Sequence, residues 1–296
     1  MSANLPAASS GTVVSRGAAA PPRAQAPGRG ARPAARRPRT AVRRRAAVWT
    51  IRAVFLLAVV GVWQWLGIRD GGLFVPTFTD TLVALVRHAT DGVLWPALWA
   101  SNQSLLVGFP LSIVLGLAVG FLLGRRRGID RATSYWLDIA LVIPMVALVP
   151  VIIVAFGLSL SARVAVVFLF TFPVVALNAR AAVRVPSAAL EEMARSFEAT
   201  PTQVWRTVIL PGVAAPLFTG VRIALSRAIS GMVVIELTLV PAGLGGAIIK
   251  YTSQFSAANL YSMTLAVVLE GLVLVGLATY VERRVIRRLR GASRDK

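Results

Sequence analysis

The sequence predicts an all-α membrane protein with six transmembrane helices, and three observations support this prediction. The 296-residue chain is 56% hydrophobic and has a mean hydropathy of +0.70, which is higher than in ordinary soluble domains. Six long apolar runs, typical of membrane-spanning helices, are separated by polar stretches. Arginine clusters adjoin the ends of these runs, as the positive-inside rule expects of cytoplasmic anchors.

The charge distribution indicates that the chain has membrane lipid rather than nucleic acid as a partner. A net charge of +20 would by itself suggest nucleic acid. Residues 1–69, however, contain no Asp or Glu, and the basic clusters lie beside apolar runs. We therefore predict no nucleic-acid partner, and RNA binding by the basic N-terminal arm is the alternative.

The composition excludes several kinds of active site. The chain has no Cys, and His88 is its one histidine. The lysines, Lys250 and Lys296, do not lie in a GxxxxGK[ST] phosphate-binding loop. We therefore predict no catalytic residue, no metal site and no ATP site in this chain.

The predicted elements follow in chain order. Residues 1–45 are rich in Ala, Pro, Gly and Arg, which predicts a disordered basic cytoplasmic tail. A transmembrane domain is predicted over 46–290, and 291–296 form a C-terminal cytoplasmic tail. Within the domain we expect spans at about 46–68, 98–123, 135–158, 162–183, 214–239 and 260–281, with a polar segment at 187–211.

Two of these spans contain residues that a bilayer disfavours. Pro144 and Pro150 lie in the third span, and Asn178 lies in the fourth. A proline inside a span frees backbone carbonyl groups, which must then face protein or a water-filled path. The three residues are therefore candidates for a polar path through the membrane, and simple packing kinks are the alternative.

The segment 187–211 is the longest charge-rich interruption between apolar runs, and we predict two short helices in it. Apolar residues on one face of the first helix recur with helical spacing. They are Leu190, Met193, Ala194 and Phe197.

The second helix has start and stop signals of its own. Thr200 is the predicted N-cap, Pro201 occupies the first helical position, and Gln203 completes a capping box. Pro211 is expected to end this helix, because proline has no N–H to donate.

Charge counts orient the chain. Six spans place both termini on one side, together with the loops after spans two and four. Those loops carry Arg125–Arg127, Arg180, Arg184, Arg195 and Arg206, whereas the opposite loops carry little beyond Arg69, Arg87, Arg163 and Lys250. Both termini and the segment 187–211 are therefore predicted to be cytoplasmic.

The segment 187–211 resembles the EAA loop of the permease subunits of bacterial binding-protein-dependent ABC importers. The family pattern is Glu-Ala-Ala, then a glycine, and later Leu-Pro. Here it stands as Glu192, Met193 and Ala194, then Glu198, and later Leu210-Pro211. The resemblance extends over about residues 70–290 and is closest to the aliphatic sulfonate, taurine and nitrate branch. Its other pieces are Gly108-Phe109, Pro144 with Ala147, Pro150 and Phe156-Gly157, Phe172-Pro173, Gly220 with Arg222, Glu236-Leu237, and Gly243-Leu244-Gly245.

The resemblance implies a type I ABC importer permease fold, in which six transmembrane helices carry a cytoplasmic coupling helix pair. It implies a multi-pass protein of the bacterial plasma membrane that is not an enzyme. Separate cytoplasmic ABC ATPase subunits would hold ATP and Mg. An extracytoplasmic substrate-binding protein would deliver the solute, and a second permease copy, expected to be identical, would complete the path.

The resemblance also implies a set of residues that couple to the ATPase. Glu192 would make a charge-assisted contact with it, and Ala194 and Ala199 would permit its close approach. The full implied set is Glu191, Glu192, Met193, Ala194, Arg195, Glu198, Ala199 and Pro211.

The sequence departs from the family pattern in three places. Met193 replaces the first alanine of Glu-Ala-Ala. Glu198 replaces the glycine, and glutamate adopts a positive φ poorly. We therefore expect an altered turn, or a matched basic residue on a dedicated ATPase. The Ser-Leu-x-Arg of the second span is replaced by a stretch without arginine, so that Asn102 and Gln103 become candidates for the path.

Charged residues within the predicted spans are further candidates. They are Arg222, Arg227, Glu236 and Glu270. Each costs about 2.5–3.5 kcal/mol on insertion scales, so they should face the interior and pair. We expect Glu270 to pair with Arg227 or Arg222, either structurally or in the substrate route. An arginine pair near the path would suit a small anion, such as a sulfonate, taurine or nitrate.

Other functions stay open at this point. A proton-coupled secondary transporter would need a relay of ionisable groups, for which Glu236 and Glu270 are few. A membrane scaffold with a recruiting basic tail is a second alternative. Neither explains the EAA loop. An ABC importer for another solute, such as a heterocycle similar to a thiamine precursor, is the third.

Overall fold

The computed structural model describes residues 39–184, 188–204, 209–238 and 241–292, and these residues form helices joined by short turns, with no strand among them. The all-α fold class is therefore confirmed. In chain order the helices are α1 (Arg39–Asp70), α2 (Phe78–Thr90), α3 (Leu94–Arg125), α4 (Arg127–Val142), α5 (Val149–Phe156), α6 (Leu160–Val183), α7 (Ala188–Ser196), α8 (Pro201–Val204), α9 (Leu210–Thr238), α10 (Gly243–Ser253) and α11 (Ala257–Ala292).

Five of the described helices, α1, α3, α6, α9 and α11, are long and apolar enough to cross a membrane. The bent pair of α4 and α5 makes a sixth if it counts as one span. The N-terminal tail is shorter than predicted, because α1 already begins at Arg39. Arginine and alanine are good helix formers, which accounts for a helix through this basic stretch. The remaining residues of both predicted tails, 1–38 and 293–296, lie outside the described residues.

The third predicted span is broken rather than continuous. α4 ends before Ile143, a 3₁₀ turn runs over Met145–Leu148, and the two halves of the span are bent by 89°. Pro144 explains the break, because it lacks an N–H and pushes Ile143 out of the helical conformation, to ψ 126°. Pro150 lies in the first turn of α5, where a helix tolerates proline.

A seam of small residues joins α3 to α6. Gly108, Ser112, Gly116 and Gly120 recur every four residues along α3 and are buried. A Cβ atom added at Gly116 would lie 2.7 Å from Cβ of Val175 on α6. Small residues at this spacing let helix backbones approach closely inside a membrane. The seam therefore fixes the central helix pair of the fold.

A third helix, α9, completes this core. Leu105 of α3 and Val167 of α6 are buried against Ala228 and Met232 of α9. Thus one face of α9 packs against α3 and α6, and its other residues contact α10 through Glu236 and α11 through Arg222.

The short helix α2 packs on α11 through the chain's histidine. Nε2 of His88 lies 3.1 Å from Oδ1 of Asn259, and Nη2 of Arg87 donates to the same oxygen at 2.7 Å. Burial of the ring lowers the pKa of His88, which favours the neutral imidazole. The residue thus helps to hold α2 in place.

Enlarging a glycine of the seam should destabilise the fold. In Gly116→Ala the new Cβ would overlap Val175, and overpacking of this kind costs about 1–3 kcal/mol. We expect a lower Tm for the purified chain in detergent. Gly276→Ala on α11 is the matched control, because no atom lies within 4 Å of its added Cβ. Equal Tm values for the two variants would contradict a tight α3–α6 seam.

Candidate functional site

The segment predicted from sequence to contact a partner contains α7 and α8, which lie between α6 and α9 in the chain. Residues 185–187 and 205–208 lie outside the described residues, as do the side chains of Glu191 and Pro211. Within the described part, the side chains of Glu192, Met193, Arg195, Phe197 and Glu198 are exposed. The exposed face of the segment therefore mixes charge with two large apolar groups.

The two alanines of this segment face inward. Ala194 and Ala199 are half-buried and pack against a cluster that contains Val204, Ile209 and Val213. They thus attach α7 to the start of α9. Their contacts within this chain leave both side chains partly exposed, and their close approach to another subunit stays a prediction.

The turn after α7 has a left-handed residue at the position of the family glycine. Glu198 has φ +56°. Its N–H donates to the carbonyl of Arg195 at 2.9 Å, and the N–H of Ala199 donates to that of Ala194 at 3.2 Å. These two bonds form a Schellman motif, the usual C-terminal cap of a helix. Glu198 thus adopts a left-handed conformation that glycine takes more readily, and the cap holds it there.

The predicted capping box is present at α8. The backbone N–H of Thr200 donates to Oε1 of Gln203 at 2.8 Å, and the N–H of Gln203 donates to Oγ1 of Thr200 at 3.4 Å. The prediction for Pro211 is wrong. This residue lies in the first turn of α9, where a missing N–H leaves no helical bond unmade, rather than at the end of α8.

A buried carboxylate connects four helices. The side chain of Glu236, near the end of α9, is 0% exposed. Its Oε2 accepts hydrogen bonds from Oγ of Ser101 on α3 at 2.9 Å and from the N–H of Gly245 on α10 at 3.0 Å. The guanidinium of Arg163 on α6 lies 3.8 Å from its Oε1. Glu236 thus caps the positive end of α10 while it is paired to α6.

The Gly243-Leu244-Gly245 motif lets the backbone of α10 approach the carboxylate of Glu236 closely. Gly243 has φ +63°, and a Cβ there would lie 2.6 Å from Oε1 of Glu236. The N–H of Leu244 donates to Oγ of Ser101 at 2.9 Å. We infer that Glu236 organises the structure rather than lining a path.

The remaining intramembrane charges do not pair as predicted. Nη1 of Arg222 lies 3.2 Å from Oε2 of Glu282, and Oε1 of Glu270 accepts a hydrogen bond from Nδ2 of Asn102 at 2.5 Å. Arg227 is exposed on α9. The expected pair between Glu270 and an arginine is therefore wrong. Arg222 pairs with Glu282 instead, and Arg227 faces outward.

The other path candidates lie apart from one another. Asn178 donates to the carbonyl of Val174 in its own helix at 2.7 Å. Gln103 is half-buried on α3, and Pro144 and Pro150 are exposed at the break between α4 and α5. Of the nine candidates, the structure joins Asn102 to Glu270 by a direct contact.

Sequence reasoning missed the ion pairs of two buried carboxylates, Glu236 and Asp130. Arg163 was counted as an ordinary loop residue, yet it is buried against Glu236. Asp130 of α4 binds Arg180 and Arg184 of α6, each at 2.5 Å. The only signal available was that these charges adjoin apolar runs.

One face of α9 is polar and exposed. Ser226, Arg227 and Ser230 lie side by side on it, opposite the buried Ala228 and Met232. An uncovered arginine in the middle of a span is costly, so this face must contact protein or water rather than lipid.

The comparisons identify the family. Residues 112–287 match the binding-protein-dependent transport system inner membrane component family. This chain belongs to that family and is a permease subunit of an ABC importer, a transport component rather than an enzyme.

Individual relatives agree with this assignment. The riboflavin transport permease of Chloroflexus aurantiacus is 32% identical, over 79% of this chain and 88% of the relative. The taurine transport permease of Escherichia coli is 26% identical, over 73% of this chain and 78% of the relative. An inward-facing MetNI methionine ABC transporter structure matches with TM-score 0.54 and 23% identity, over 67% of this chain and 98% of that one, which supports the fold.

Removing the strained side chain at position 198 should tighten the turn after α7. Glu198→Gly relieves a left-handed conformation that costs a non-glycine residue about 1 kcal/mol. We expect slower hydrogen exchange at the amide of Ala199, which closes the turn. Glu192→Gly, in the helix, should instead speed that exchange. Faster exchange in Glu198→Gly would contradict the Schellman assignment.

The Glu236 cluster should behave as one unit in thermal unfolding. Glu236→Gln and Ser101→Ala both alter the same hydrogen bond, so the loss of stability in the double variant should be smaller than the sum, by about 0.5–3 kcal/mol. Tm and calorimetric measurements on all four proteins give this coupling. Additive losses would show that the contact between α3 and α9 contributes no stability of its own.

Proposed function

We propose that this permease moves a small, anionic solute of the sulfonate, taurine or nitrate kind across the bacterial plasma membrane. The polar face of α9 is the observation that carries the proposal. Arg227 is exposed near the middle of the helix and is flanked by two exposed hydroxyl groups, Ser226 and Ser230. No described carboxylate forms an ion pair with this arginine. The two hydroxyl groups donate to carbonyl groups of their own helix, so the guanidinium is the group that suits an anion in transit.

A second copy of the chain would face this surface. The exposed arginine needs protein or water opposite it, and a homodimer with a central path between two α9 helices supplies both. The taurine permease relative supports a solute with an anionic group. The riboflavin permease relative supports the alternative of a heterocyclic solute within the same ABC class.

The segment 187–211 would connect the permease to its ATPase. Glu192 and Arg195 offer charges, and Met193 and Phe197 offer apolar surface that this chain leaves 54% and 79% exposed. Such a helix suits a groove on a soluble partner. Because the two alanines attach α7 to the start of α9, movement of the segment would be passed to the helix that carries Arg227. ATP and Mg would be held by the partner ATPase, with none in this chain.

The proposed orientation rests on the distribution of basic residues between the loops. We place both termini and 187–211 in the cytoplasm, where the ATPase is, and the binding protein on the opposite side. A proton-coupled mechanism is not favoured, because the family and the relatives that this chain matches are ABC importer permeases.

Transport assays test the proposal. In liposomes that contain the chain, its ATPase subunits and its binding protein, we expect uptake of a radiolabelled sulfonate that requires ATP. Arg227→Gln should reduce this uptake at least tenfold, with the Tm unchanged, because the path loses its cation. Arg283→Gln, an exposed arginine at the end of α11, is the matched control and should retain uptake.

Three outcomes would count against parts of the proposal. Uptake driven by a proton gradient without ATP would contradict the ABC mechanism. Full sulfonate uptake in Arg227→Gln would contradict its role in the path. ATP-dependent uptake of riboflavin, but not of sulfonates, would select the heterocyclic alternative.

A further inference from the structure

A cavity of about 540 Å³ lies between α2, α3 and α11. Its walls are apolar, apart from two side chains, Asn102 and Glu270. A volume of this size with an apolar lining and few polar groups is typical of small-molecule sites. The principal apolar residues are Leu85, Leu94, Trp95, Leu98, Leu269 and Val273.

The polar side chains of the cavity offer acceptors without donors. Nδ2 of Asn102 donates to the carbonyl of Leu98 at 2.8 Å and to Oε1 of Glu270 at 2.5 Å, which uses both amide hydrogens. Glu270 is 9% exposed, and its Oε2 is buried without a hydrogen-bond partner among the described residues. A carboxyl group in such surroundings is stabilised by protonation, or by a donor or a cation beside the free oxygen.

The cavity is distinct from the polar face of α9. Leu274 lines the cavity and also packs against the cluster that contains Ala228 and Met232. That cluster lies on the face of α9 opposite Arg227. The two surfaces therefore lie on different sides of α9 and have opposite charge.

We propose that this cavity binds a primary ammonium group carried on an apolar body. An ammonium has three donors and no acceptor, so it matches the unpartnered oxygen of Glu270 and neutralises its charge. The apolar walls match the body of the ligand, and an anionic headgroup would be repelled by Glu270. This site goes beyond the proposed function, which concerns an anion on another surface. A soluble amine and the amino headgroup of a membrane lipid share this chemistry.

Matched probes test the proposal on the full chain in phosphatidylcholine nanodiscs. Equilibrium dialysis would compare 4-phenylbutylamine, 4-phenylbutanol and 4-phenylbutanoate, after subtraction of binding to empty nanodiscs. We expect the amine to bind at least tenfold more tightly than the alcohol, and the carboxylate to bind least. Glu270→Gln should lose at least tenfold of the amine affinity, whereas Glu282→Gln on the same helix should keep it.

Two further measurements separate loss of binding from loss of stability and distinguish a lipid amine from a soluble one. Val273→Trp leaves Glu270 intact and fills the cavity from its wall, so it should block the amine even if Glu270→Gln lowers the Tm. In nanodiscs of phosphatidylethanolamine, weaker binding of the probe would identify the lipid amine as the native occupant, and equal binding would identify a soluble amine. Equal affinity for the three probes, or unchanged amine binding in Val273→Trp, would overturn the proposal.

Discussion

The buried carboxylate of Glu236 is the interaction on which the arrangement of this permease most depends. An ionised group in a membrane interior is stable only when donors surround it, and here a hydroxyl, a backbone N–H and a guanidinium come from three other helices. The charge therefore dictates where α3, α6 and α10 lie around the end of α9. Lipid provides no hydrophobic drive to bring these helices together, so a polar cluster and a close-packed seam take that role.

The same helix, α9, links the functional parts of the molecule. Its start is attached to α7 through two inward-facing alanines, its middle presents Arg227, and its end carries Glu236. A displacement of the segment 187–211 would therefore be transmitted along this helix. The anion path proposed for one face and the ammonium site proposed beyond the other would then respond to the same movement.

Much of this architecture could be predicted from the sequence, because apolar run length and charge placement depend on the bilayer and not on tertiary contacts. The capping box at Thr200 was predictable for a similar reason, since its two residues are three apart. Pairings between residues that are distant in the sequence could not be predicted. Glu270 was expected to find an arginine and instead bonds Asn102, 168 positions away, and Arg163 looked like a loop residue until the fold placed it beside Glu236. Glu198 shows a different limit of prediction from sequence. Glutamate disfavours a positive φ, yet two backbone hydrogen bonds hold the residue in that conformation.

The break at Pro144 has a consequence for how this segment is held in the membrane. α4 has 16 residues and is about 24 Å long, whereas the hydrocarbon layer is about 30 Å thick. α5, with 8 residues, is shorter still. Neither half can cross alone, and the carbonyl groups freed at the bend cannot remain against acyl chains. The bent pair therefore needs a protein neighbour once it is in the membrane, and α6 supplies one, because its Ala162 and Val166 pack against Val149 and Ile152 of α5.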